Sequence, residues 1–175
     1  MSLSSITFWG VAAVLLFWAV GAYNRLVQLR NHILRGFVPV DQQLAARSAL
    51  LQRQIETLAA LPDAAARELE ELRAARAQAD AAWDVTRRRP GAVGAINSLR
   101  LALQILAQAR ERVAQGHPAN DALAALHAEL AACDNALQFA LGQFNDAVHQ
   151  YNGAVRQFPT GLLAAMFQFR GATPL

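Results

Sequence analysis

The segment Asn120–Phe158, NDALAALHAELAACDNALQFALGQFNDAVHQYNGAVRQF, carries Leu123, Leu126, Leu130, Cys133, Leu137, Leu141, Phe144, Val148, Tyr151, Val155 and Phe158 at intervals of three and four. Only an α-helix brings side chains at that spacing onto one face. A helix this long with one apolar stripe must bury the stripe against other helices, so the segment belongs to a bundle. Cys133 lies on the stripe and reads as a small buried hydrophobe rather than a nucleophile.

The same rhythm recurs upstream. Leu26, Leu29, Ile33, Phe37, Val40, Leu44, Leu51, Ile55 and Leu58 form a stripe that fails once, at Arg47. Leu69, Leu72, Ala79, Trp83 and Thr86 form a weaker one, and Val93, Ile96, Leu103, Leu106 and Val113 a third. Punctuation separates them: Pro62-Asp63, Arg89-Pro90-Gly91 and Gly116-His117-Pro118, with Asp63 and Asn120 or Asp121 as helix caps. Four helices are expected, at Asn24–Leu61, Asp63–Arg88, Ala92–Gln115 and Asn120–Phe158, with short connections making neighbours antiparallel. Their lengths are about 57, 39, 36 and 58 Å. The inner pair is too short to match the outer pair, so a four-helix bundle should stand on a stalk of the first and fourth helices. Gly36 and Pro39 should interrupt the first helix near that stalk.

Composition agrees with an all-α chain. Of the 175 residues 54% are hydrophobic, while aromatics are only 7%. Ala, Leu, Arg, Gln and Glu favour helix, and the β-branched and aromatic enrichment of strands is missing.

Ahead of the bundle, residues 3–23 read LSSITFWGVAAVLLFWAVGAY, with no ionisable group before Tyr23 and none that is charged before Arg25. As a helix the segment spans about 31 Å of hydrocarbon. Val20-Gly21-Ala22 offers small residues for a signal peptidase, yet the n-region has no Lys or Arg and the apolar run is too long for a signal peptide. An uncleaved single-pass anchor is expected. Arg25, Arg30 and Arg35 follow the span, nothing basic precedes it, and no acidic residue occurs before Asp41. The positive-inside rule then places the N-terminus outside and the bundle in the cytoplasm. The chain thus divides into an anchor (1–23), an antiparallel bundle (24–159) and an apolar tail (160–175).

All 16 basic residues are Arg and the formal net charge is +3. No basic run is interleaved with aromatics, so nucleic acid is not an expected partner. A single cysteine allows no internal disulfide. His32, His117, His127 and His149 are scattered and form no ligand pair, so no metal site and no cofactor are expected. Glu68, Glu70 and Glu71 alternate with Arg67, Arg73 and Arg76 at helical spacing, the pattern of a solvated ion-paired face. With no acid/base, nucleophile or phosphate-cradling constellation, catalytic activity is not expected.

Three features depart from the plain bundle pattern. Arg47 on an apolar stripe either finds a partner or snorkels along the bundle edge; with Asn24 level with Phe158, Asp134 and Asn135 face it, and Arg35 with Asp146 is the analogous pair nearer the membrane. Asn24, Asn145 and Asn152 lie on or beside the stripes, where Asn is a poor helix residue, which suggests inter-helix hydrogen bonds that fix register or, as the alternative, a partner site. The tail TGLLAAMFQFR after Pro159 is too short to span a bilayer and too apolar to be solvated. It should fold over the stalk or lie in the membrane interface near Tyr23, Arg25 and Arg30.

The stretch CDNALQFALGQFNDAVHQYNGAVRQFPTGLLAAMFQF closely resembles the C-terminal signature of the LemA family, in which Asn, then Tyr-Asn, then Tyr-Asn-x-x-Val/Ile-x-x-Phe-Pro precede an apolar tail. Asn135, Asn145, Asp146, Tyr151, Asn152, Arg156, Phe158 and Pro159 fall in register. YNRLVQLRN from Tyr23 and VDQQLAARSALL from Val40, with Asp41 and Arg47, are similar to the family's N-terminal segments. Phe144 replaces a tyrosine, Gln52 a proline, Pro39 is unusual, and the His-Glu opening of the second helix is missing. The resemblance implies a bacterial membrane-anchored helical bundle without established enzymatic activity. The role expected is therefore a scaffold whose bundle surface or stalk groove docks a protein partner. The alternative is an accessory factor in membrane-protein quality control. Membrane lipids, protein partners and a further copy of the chain are the partner classes considered.

Overall fold

The computed structural model describes residues 3–60, 66–116 and 121–175. The expected breaks and caps at Pro62-Asp63, His117-Pro118 and Asn120 lie outside the described residues. The chain forms five helices: α1 (Leu3–Ala59), α2 (Ala66–Arg88), α3 (Val93–Gly116), α4 (Asp121–Arg156) and α5 (Thr160–Met166). No strand occurs among the described residues.

The apolar span and the first bundle helix are one element. The 57 residues of α1 run about 85 Å without a break. Its N-terminal part is the one described helix segment long and apolar enough to cross a membrane, and Phe8, Leu16 and Phe17 there are exposed, without partners to bury them. Gly36 and Pro39, where a kink was expected, do not end the helix; Pro39 sits inside it. The packing around it explains the continuity. Phe37 and Val40 are buried on either side, and a Cβ at Gly36 would meet Phe144 Cα at 3.6 Å. Gly36 therefore marks a close approach of α1 to α4, and burial of its neighbours outweighs the one backbone bond that Pro39 removes.

Helices α1 and α4 pack antiparallel with the expected register. Gln54 meets His127 (Nε2 to Nε2 3.0 Å), Arg53 meets Glu129 (3.0 Å) and Arg47 meets Asp134 (2.9 Å). The α2–α3 hairpin packs across this pair and divides the core. A distal cluster joins Leu51, Ile55, Leu58, Leu72, Leu106, Val113, Leu123 and Leu130. A proximal one joins Ile33, Phe37, Val40, Ile96, Leu99, Phe144, Val148 and Tyr151. Each fully buried Leu or Phe contributes roughly 1.5–3 kcal/mol by leaving water. Two expected core positions are not core: Phe158 is 79% exposed and Val93 58%. Leu99 and Ala102 fill the α3 stripe instead.

Hydrogen bonds seat the hairpin. Trp83 Nε1 donates to Asp41 Oδ1 at 2.8 Å, and the Arg87 guanidinium stacks 4.9 Å over the Trp83 ring. Asp41 is thus the point where α2 is clasped to α1. Thr86, fully buried, lies 2.9 Å from Ala82 O and 3.1 Å from Ala95 O, tying the end of α2 to the start of α3. The acidic face is ion-paired as read from sequence: Glu71 with Arg67 and Arg112, and Glu70 with Arg73.

Candidate functional site

At the foot of the bundle the α2–α3 hairpin ends and α1 and α4 continue toward the apolar span. Leu26, Ala154 and Ala164 form a small core of their own there. What covers this pair differs on its two faces.

On one face the tail folds back. Helix α5 sets Leu163 and Ala164 against the stalk. Tyr23 packs edge-to-face against Phe167 (centroids 5.1 Å) and Phe169 (5.7 Å), so the tail meets the end of the apolar span. The chain then reverses at Gln168, whose φ is +57°. Phe169 N–H donates to Ala164 O and Gln168 N–H to Ala165 O, the paired bonds of a Schellman stop with Gln where Gly is usual. Residues 169–175 run away from the apolar span as a strap along α4.

Two asparagines hold the strap. Asn152 donates Nδ2–H to Ala172 O and accepts the Ala172 N–H at Oδ1, both at 2.8 Å. Asn145 does the same to Leu175, at 2.9 and 2.8 Å. A side-chain amide presents one donor and one acceptor in a plane, so each mimics a strand neighbour. The spacing is why both fit: one heptad on α4 rises about 10.5 Å, and three extended residues span about 10 Å. Tyr151 donates its hydroxyl to Arg170 O at 2.9 Å, Thr173 N–H donates to Gly91 O at 2.8 Å, and Arg100 donates to Pro174 O at 2.7 Å. Burial pushes the Tyr151 phenol above its ordinary range, with Arg30 opposing. The asparagines therefore do not join helix to helix, as the sequence suggested. Asn24 is exposed and takes no part. The helix interior tolerates Asn145 and Asn152 because an extended segment supplies the partners that α-helical neighbours do not.

The other face is open. A groove of about 840 Å³ runs between α1 and α4, lined by Arg25, Gln28, His32, Arg35, Asp146 and Gln150 among others. Arg35 and Asp146 face this groove but form no ion pair; Arg35 Nε lies 3.5 Å from Asn31 O of its own helix. The groove separates the two side chains where a packed interface would have joined them.

Higher up, Arg47 is 8% exposed. Its Nε lies 2.9 Å from Asp134 Oδ1, and Arg110 Nη1 lies 2.9 Å from Asp134 Oδ2. The Arg47 approach is an ion pair by distance without an aligned N–H bond. Burial lowers the guanidinium pKa, with Asp134 opposing. Asn135, the other expected partner, is exposed. Cys133 beside it is buried, contacts Gln43 O at 3.5 Å, and desolvation raises its thiol pKa. Helix α4 ends at Arg156, short of the expected Phe158, and Pro159 caps α5; Phe158, Leu162, Met166 and Phe167 are all more than half exposed.

No group of three or more His, Cys, Asp or Glu side chains that could hold a metal occurs among the described residues. Neither a curated protein nor a solved structure matches the chain. The LemA family model matches residues 36–174, a stretch that starts beyond the apolar span and takes in the bundle, Asn145, Asn152 and all but the last residue of the strap they hold. By that match the chain belongs to the LemA family.

Proposed function

We propose that the protein is a membrane-anchored helical scaffold that presents the groove between α1 and α4 to a partner protein. The observation that carries this reading is the continuity of α1, which passes from the apolar span into the groove wall in one unbroken helix. A rigid helix holds the groove at a fixed height and bearing relative to a bilayer. The strap closes the opposite face, so the groove is the uncovered side of the stalk. Its lining of Arg, Gln, His and a single Asp suits a polar or acidic protein segment.

The same reading sets the bundle in the bacterial cytoplasm, with the N-terminus outside. Arg25, Arg30 and Arg35 follow the span in sequence, and the fold brings Arg156 and Arg170 to the same end, where anionic headgroups attract them. No catalytic step is part of the proposal.

Photo-crosslinking in intact cells tests it. A photoreactive residue at Gln28 or Gln150 should capture one stoichiometric protein, and the same residue at the distal, exposed position of Arg67 should not. Adducts with many unfolded clients and proteases would favour a quality-control accessory role instead, and equal capture at all three positions would remove the groove from the account.

A further inference from the structure

A second cavity, of about 510 Å³, lies between α1, the α2–α3 turn and the strap, on the face away from the groove. Four arginines line it: Arg30 from α1, Arg88 and Arg89 from the end of α2, and Arg170 from the strap. No Asp or Glu lines it. Arg88 Nη2 lies 3.8 Å from Asp84, which stands outside the lining, while Arg30, Arg89 and Arg170 have no ion-pair partner among the described residues. Higher in the bundle Arg53 pairs with Glu129, Arg73 with Glu70, Arg110 with Asp134 and Arg112 with Glu71, whereas Arg25, Arg35, Arg100 and Arg156, like the cavity arginines, carry no carboxylate partner among the described residues.

The positive field has a second source. Helix α3 begins at Val93, directly after the lining residues Gly91 and Ala92, and has no acidic residue in its first turn. Its dipole adds positive potential at this end, with no carboxylate in the first turn to offset it. The four guanidinium groups are solvent-exposed, so water screens their mutual repulsion, and together they give one concavity a positive potential that favours an anion. The cavity walls are fixed, since Tyr151 holds Arg170 O and Thr173 holds Gly91 O.

We infer that this cavity binds a phosphate-bearing anion, with Arg30, Arg89 and Arg170 as its recognition groups. Planar guanidinium donors match phosphate oxygens two at a time. The phosphate has two sources, a free anion or the headgroup of an anionic phospholipid. Arg30 lies about 10 Å along α1 from Tyr23, just beyond the headgroup layer of a bilayer in which the apolar span sits.

The test uses the full chain in dodecyl maltoside micelles without phosphate. Inorganic phosphate and, separately, short-chain dihexanoylphosphatidylglycerol are titrated while thermal unfolding is followed, with dihexanoylphosphatidylcholine as the neutral control. Saturable stabilisation is expected, weakened about tenfold or more in Arg30→Gln/Arg89→Gln and unchanged in Arg67→Gln, whose side chain lies on the distal solvated face. If the double variant does not fold, Arg170→Gln, on the strap, takes its place. Preference for the glycerol lipid, displacing bound phosphate, names the headgroup; equal or better binding of inorganic phosphate names the free anion. Absence of saturation by either ligand, or saturation that survives loss of the arginines, overturns the inference.

Discussion

Arg47 of α1 and Asp134 of α4 stand 2.9 Å apart, with Arg110 at the same distance from the other carboxylate oxygen. One carboxylate thus compensates two guanidinium groups, the deeper of which is almost fully buried. Removing the carboxylate strands a buried charge, whereas removing Arg47 strands none, because Arg110 remains with Asp134. Asp134→Ala should lower stability by about 2 kcal/mol, below the 3–5 kcal/mol of fully buried pairs because Asp134 is partly exposed. Arg47→Met should cost less than about 1 kcal/mol or stabilise. Urea denaturation of the two variants checks the order; equal losses would show that the carboxylate is not the shared element.

The strap depends on its asparagines. Asn145→Leu and Asn152→Leu each remove two hydrogen bonds and leave the strap backbone of Leu175 or Ala172 unpaired, at about 1–2 kcal/mol each. Amide exchange at Ala172 and Leu175 should accelerate in the matching variant while exchange in α4 stays slow. An α1–α4 register change with the strap still protected would restore the helix-to-helix role that the sequence suggested.

Two turn positions ask for opposite substitutions. Gln168 adopts φ +57° at the end of α5, a conformation that costs a side-chain-bearing residue about 1 kcal/mol, so Gln168→Gly should raise the melting temperature. Gly91 has φ +85°, and a Cβ there would come within 3.1 Å of Ala172 Cβ. Gly91→Ala should cost about 1–2 kcal/mol and loosen Thr173. Thermal melts of both variants decide the signs.

Hydrogen bonds from Arg112, then Arg67, hold the Glu71 carboxyl below the ordinary glutamate range. A carboxyl whose pKa is lowered on folding adds stability above its unfolded pKa and loses it as pH falls through the folded one. Carbon-detected titration should find Glu71 below the ordinary glutamate range. Arg112→Gln should move Glu71 upward and flatten the acid limb of the stability curve; an unmoved Glu71 would show that the pair between α2 and α3 is absent in solution.

Met166 and Phe169, three residues apart, face different surroundings. Met166 is 66% exposed beside Leu162 and Phe167, whereas Phe169 packs on Tyr23 and the stalk core. In reconstituted bilayers a spin label at Met166 should become inaccessible to aqueous relaxants, while one at Phe169 should displace the strap. A Met166 label that remains aqueous would separate the α5 face from the membrane.

Much of this was legible along the chain because helices advertise themselves locally. The 3.6-residue periodicity from Leu123 to Val155 and from Leu26 to Leu58 needs no tertiary information to reveal a buried face. Proline and glycine at Pro90-Gly91 stop helices through backbone geometry that neighbours cannot repair. A single antiparallel offset then followed from equal lengths, and it brought Arg47 to Asp134. Pro39 does not end α1 for the complementary reason: its local cost is real, and burial of Phe37 and Val40 in the fold offsets it.

The roles of Asn145 and Asn152 carried a faint signal, since their separation is one heptad on the stripe edge. Nothing local, however, says that the partner is seven extended residues returning from beyond α5 rather than another helix. The same holds for the arginine cavity, whose members are scattered from Arg30 to Arg170 and meet only when the hairpin and the strap close on α1. Helix content, the apolar span and the bundle register were therefore determined by the sequence itself, because short-range periodicity and chain length govern them. The strap, the open groove and the gathering of arginines were decided by tertiary structure, because they arise where segments distant in sequence compete to cover the two faces of one helix pair.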